Sequence, residues 1–296
     1  MLKRGIWAVA AVAALLGAAR AAEAPLGMCV SIPPQAWLVK RLAGDAVAVE
    51  TLLMAGANPH TYEPTARQVR RLAEAAVFFR VGMPFEAPLA ARAAKLNPGL
   101  AVASMDKGIV KRGAHAHDHG AHDHVCAADG DPHIWLSARL MAVMASNTAE
   151  VLSGRLPGRA AEVVARRLEE TVAEIGATDA AVRGRLRGVA GRTWVVYHPS
   201  WGYFAEEYGL SLLVIEQDGK APSARHLARV IGAARAAGVR VVFTEPQYDR
   251  RPAETLARQV GARLEVIDPL AEAWPELMRE VADRLAGRTP PERRGE

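Results

Sequence analysis

The chain has 296 residues, half of them hydrophobic and 23% charged, which suits a folded protein with a sizeable core and excludes a wholly disordered chain. Its formal charge is +5, but Lys3, Arg4 and Arg20 all lie in the first 21 residues, and without them it is +2. Later arginines sit beside glutamates, as Arg166 and Arg167 do beside Glu169 and Glu170; that is a solvated face, and no nucleic-acid partner is expected.

Residues 1–21 read as a secretory signal peptide. Lys3 and Arg4 precede an uncharged apolar run over 6–19, and Ala19-Arg20-Ala21 offers a small-x-small cleavage site. The run is short for a membrane span. Met28 stands before Cys29 where a lipid-modified cysteine would follow a small residue, so a soluble periplasmic protein is expected.

Beyond the signal, strands and helices alternate. Strands are predicted at 28–31, 47–54, 76–81 and 100–104, with helices at 35–43, 66–75 and 85–96. Ser137 caps a helix running to about 154, as Thr65 and Ser223 cap others. A long helix follows over 159–187, with Val163, Val164, Leu168, Val172, Ile175, Val182 and Leu186 as its apolar stripe. The alternation then restarts, with strands at 192–197, 210–215, 239–244 and 264–267 and a closing helix at 273–285. The pattern predicts an α/β fold of two lobes, each a four-stranded, mostly parallel sheet flanked by helices, joined by one long helix. The expected division is a first lobe at 25–156, a linking helix at 157–187, a second lobe at 188–286 and a disordered Pro- and Arg-rich tail at 287–296.

The stretch 113–131 is a histidine-rich loop. His115, His117, His119, His122 and His124 fall within ten residues, followed by Cys126. Such density reads as metal binding, either an auxiliary store that feeds a main site or a solvated tract that binds metal without consequence. The only cysteines are Cys29 and Cys126. In an oxidising compartment they could form a disulfide; free thiols, or Cys126 as a loop ligand, are the alternatives.

Parallel α/β sheets place ligands beyond the carboxyl ends of their strands. That rule selects His60 after the second strand, His133 at the end of the histidine-rich loop, His198 after the fifth and Asp268 after the last. Each lies next to a proline, which stiffens the backbone, and facing lobes would bring all four into one cleft. His226 lies inside a capped helix and is expected at the surface. Three imidazoles and a carboxylate suit tetrahedral Zn²⁺, whereas Mn²⁺ prefers more oxygen.

The motifs at 56–65 (GANPHTYEPT), 131–137 (DPHIWLS), 198–204 (HPSWGYF) and 267–270 (IDPL) resemble those of the metal-binding receptors of bacterial zinc and manganese ABC importers. The resemblance covers about 25–285. It implies two α/β lobes on a rigid linking helix, a metal held between them by His60, His133, His198 and Asp268, and a membrane permease as partner of a monomeric receptor. Histidine at the third ligand position and the loop before the second point to the zinc branch of that family; the Tyr62-Glu63-Pro64-Thr65 segment is closer to the manganese type. Glu63 and Asp131 are the nearest candidates to orient the imidazoles. The competing class is a secreted zinc hydrolase using His60, His133 and His198 with an open water position; no His-Glu-x-x-His helix supports it, and no enzyme activity is expected.

Overall fold

The computed structural model describes residues 24–53, 56–113, 130–217 and 219–288. The signal-peptide stretch, the five clustered histidines, Cys126 and the tail from 289 lie outside the described residues.

The first half runs β1 (Leu26–Val30), α1 (Pro33–Ala43), β2 (Val47–Thr51), α2 (Ala66–Glu74), β3 (Val77–Arg80), α3 (Glu86–Leu96), β4 (Ala101–Ser104) and α4 (Ala138–Arg155). The long helix α5 (Arg159–Leu186) follows. The second half runs β5 (Thr193–Val196), α6 (Gly202–Glu207), β6 (Ser211–Val214), α7 (Ala224–Ala236), β7 (Val241–Thr244), α8 (Arg251–Val260), β8 (Arg263–Val266) and α9 (Trp274–Leu285). All pairings are parallel, and the two sheets share one topology: β2-β1-β3-β4 and β6-β5-β7-β8. In each, chain order reverses beside the first strand, and that switch point opens a crevice at the strand ends.

Helix starts follow their local chemistry. Thr65 accepts from the Gln68 amide at 3.3 Å and Ser137 from that of Leu140 at 3.2 Å. Ser223 does the same for His226, whose ring is half-buried with Nε2 3.3 Å from the Val214 carbonyl, so His226 anchors a helix end and is not simply a surface residue.

The buried stripe of α5 is Val164, Thr171, Ile175, Thr178, Val182 and Leu186. Val172, expected in that stripe, is 38% exposed. Thr171 takes the inward place because its hydroxyl donates to the Arg167 carbonyl at 2.6 Å and so enters the core satisfied. Thr178 accepts from Arg279 of α9 at 3.2 Å. Helix α5 thereby packs against α1 and α4 on one side and α9 on the other.

One apolar cluster runs through both halves. It joins Phe78, Phe79 and Trp135 to Trp194, Phe243 and Trp274, while a smaller cluster around Val195, Ile215 and Val242 lies under α7 and α8. Trp135 and Trp274 lock the halves directly. The Trp135 indole donates to the Pro269 carbonyl at 2.8 Å, and the Trp274 indole to the Trp135 carbonyl at 2.6 Å. Cys29, on β1, has no disulfide partner among the described residues; it is buried in this core, and burial pushes its thiol pKa up to about 12.

Candidate metal centre

Three segments share one local device, an Asn or Asp followed by Pro. Asn58 Oδ1 accepts from the His60 amide at 2.8 Å, Asp131 Oδ1 from the His133 amide at 3.0 Å, and Asp268 Oδ1 from the Leu270 amide at 3.0 Å. The side chain closes a turn over the proline, which cannot donate itself, and the third residue is held at the turn's exit. At two of the three positions that residue is a histidine.

The turns deliver His60 and His133 to the place where His198 leaves β5. Ring centroids lie 5.5 Å apart for His60 and His133, 4.7 Å for His60 and His198, and 5.1 Å for His133 and His198. One nitrogen from each ring falls within 4.8 Å of the others. Two outer nitrogens have carboxylate partners. His133 Nδ1 is 2.7 Å from Asp131, and His198 Nδ1 is 2.5 Å from Glu216. Those contacts favour a proton on Nδ1 and leave Nε2 unprotonated. Among the described residues, Nε2 of His60 and Nε2 of His198 are both buried and have no hydrogen-bond partner. Buried polar atoms are rarely left so, and three converging imidazole nitrogens are the donor set of a tetrahedral zinc site.

Burial is the main force on the imidazoles. It drives His60 down to about 3, helped by repulsion from His198 and His133, and it lowers His198 against the opposing pull of Glu216. Burial resists ionisation of Asp131, but His133, its hydrogen bonds and Arg112 keep that carboxyl below its ordinary range. The His60 and His198 rings are therefore neutral near pH 7, the form in which they can take a metal.

Asp268 lies outside the three-imidazole group. Its Oδ1 is engaged by Gln247 Nε2 at 2.8 Å as well as by the Leu270 amide. Glu63 is exposed. Glu216, Glu245, Gln247 and Tyr248 went unselected by sequence reasoning. Glu216 follows β6 by two residues as His198 follows β5, so the strand-end rule applied to glutamates would have found it. Glu245, directly after β7, is buried against the His198 backbone with Ser200 Oγ at 3.4 Å, and burial pushes its pKa well above the ordinary carboxylate value. Tyr248 stacks on His198 with centroids 5.2 Å apart.

The model of a protein family described as "Zinc-uptake complex component A periplasmic" matches residues 28–287. The chain belongs to that family. It is a family of uptake components rather than of enzymes. Among similar proteins, the high-affinity zinc uptake system protein ZnuA of Paracoccus denitrificans is 29% identical, covering 93% of this chain and 95% of the relative. The zinc-binding lipoprotein AdcA of Streptococcus pneumoniae is 26% identical over 86% of this chain, which spans only 52% of that longer relative. The crystal structure of a ZnuA superposes with a TM-score of 0.80 at 30% identity, covering 89% of this chain and 99% of that one, and a ZnuA deletion mutant with zinc bound matches equally well. The fold, two parallel sheets flanked by helices, is that of this family.

Proposed function

We propose that the protein is the periplasmic receptor of a zinc ABC importer, capturing Zn²⁺ between its two halves and passing it to a membrane permease. The observation that carries this is the trio His60, His133 and His198, two of them with buried, unpartnered Nε2 atoms and two with carboxylates fixing Nδ1. Zinc is the cargo here, not a resident cofactor. Three imidazole nitrogens give it a borderline-soft site, and Asp268, at the same sheet edge as His198, supplies the fourth position through its second carboxylate oxygen. The halves 25–156 and 188–286 act as the two jaws, with 157–187 as the connecting spine. The histidine-rich loop and its five clustered histidines serve as an auxiliary collector.

The test is metal analysis with competitive zinc titration on the wild type, His198→Ala and Asp268→Ala. The wild type takes one tight Zn²⁺, His198→Ala loses more than the roughly 10–100-fold typical of an outer-shell change, and Asp268→Ala weakens binding while keeping the site. One-to-one binding of unchanged affinity in His198→Ala refutes the assignment. Hydrolysis of esters or peptides by the zinc-loaded wild type would point to the hydrolase class instead.

A further inference from the structure

The described chain stops at Gly113 and resumes at Gly130, on either side of the histidine-rich loop, and the residues flanking that gap are tied together. The Asp131 amide donates to the Arg112 carbonyl at 2.8 Å. A residue of the second half sits on the junction. The Tyr203 hydroxyl accepts from the Arg112 amide at 2.9 Å and donates to the Asp131 carbonyl at 2.8 Å. The Arg112 guanidinium lies over the Tyr203 ring, 5.4 Å from its centroid, and pairs with Glu206 at 3.0 Å. It also reaches Asp131 Oδ2 at 3.6 Å. A Cβ at residue 202 would fall on Arg112 Nη1, so any larger residue there would make the guanidinium shift.

Asp131 is thus held at several points. Its amide and carbonyl are fixed by Arg112 and Tyr203, and its carboxylate faces His133 Nδ1 and the His133 amide. Tyr203 is 5% exposed, so both hydrogen bonds of its hydroxyl are made in a dry setting where an unmade bond is costly. We infer that Tyr203 is a positioning residue: from the second half of the molecule its hydroxyl seats Asp131, and through Asp131 it sets the tautomer and direction of the His133 imidazole. Arg112 supports the same seat. The metal affinity of a ligand in one half therefore depends on a hydroxyl in the other, and parting the halves disconnects His133 from its support as it pulls His198 away.

The inference rests on the zinc-site reading, and its test separates the two. Tyr203→Phe keeps the ring and its packing and removes only the hydroxyl. In the metal-free protein, imidazole ¹⁵N shifts of His133 should report the single Nδ1–H form in the wild type and a mixture of tautomers in Tyr203→Phe. Zinc competition should show the dissociation constant of Tyr203→Phe raised by about 10- to 100-fold. Arg112→Gln, at an exposed position, should move both readouts the same way by less. Deletion of residues 114–129 removes the auxiliary histidines but not Arg112, Asp131 or Tyr203, and should leave the single His133 tautomer in place. Wild-type tautomer and affinity in both point variants overturn the inference, as does an equal loss of the single tautomer on the deletion, which would assign the effect to the loop. If the wild type takes up no zinc, the zinc reading fails, and the tautomer comparison still decides the role of Tyr203.

Discussion

His60 and His198 tie the centre's stability to pH. Both imidazoles have lowered pKa values in the folded chain, His60 down to about 3, while an unfolded histidine titrates near 6.5. Between those values the unfolded chain binds more protons, so stability rises with pH there. The metal-free protein should lose stability progressively as pH falls from about 6.5 towards 3, and thermal melts across that range should show it; His60→Gln should flatten the slope. Glu216 belongs to the same scale. Replacing it by Gln removes the carboxylate facing His198 Nδ1 and should weaken zinc by about 10- to 100-fold in a competition titration, with the fold intact. The three histidines were legible in the sequence because strand-end position, an adjacent proline and a metal-binding residue type coincide. Glu216 and Glu245 also stand at strand ends, but a glutamate after a strand is common, and the strand-end rule does not say what it faces; only the folded geometry places Glu216 against His198 Nδ1 and Glu245 against its backbone. Asp268 was legible as a strand-end carboxylate, but its engagement by Gln247, twenty-one residues earlier, has no local signal.

Order and type of the elements could be read from periodicity and from Gly, Pro, Ser and Thr punctuation, because each signal acts within a turn or two of the residue that carries it. The register of α5 could not be read completely. Apolar periodicity favours Val172, but the helix turns Thr171 inward because its hydroxyl is satisfied by its own backbone and Thr178 meets Arg279 across the interface. Side-chain polarity was a poor guide to burial where a local hydrogen bond neutralises it. This makes a direct comparison possible. Ile175→Ala removes a core side chain between the halves and should cost about 2–5 kcal/mol in denaturant unfolding. Val172→Ala should stay within about 0.5 kcal/mol. Similar costs at both positions would place the stripe where periodicity alone puts it.

At the scale of the whole molecule, two sheets of one topology suggest two independent units, but the core says otherwise. A single apolar cluster passes from Phe78 and Trp135 through α5 to Trp194 and Trp274, and each of the Trp135 and Trp274 indoles donates to a backbone carbonyl across the junction, of Pro269 and of Trp135. A repeated βα pattern cannot reveal this, because it records which residues are apolar and not which half they face. The halves should therefore unfold together. Calorimetry of the metal-free protein should give one transition whose calorimetric and van't Hoff enthalpies agree, and two separated transitions would show that the shared core does not couple them. Zinc should raise that single midpoint in step with free metal concentration, since a ligand bound only by the folded state stabilises it by RT ln(1 + [L]/Kd). His198→Ala should lose the zinc-dependent rise. Asp268→Ala should keep a smaller one, because three imidazoles remain to hold the ion between the halves.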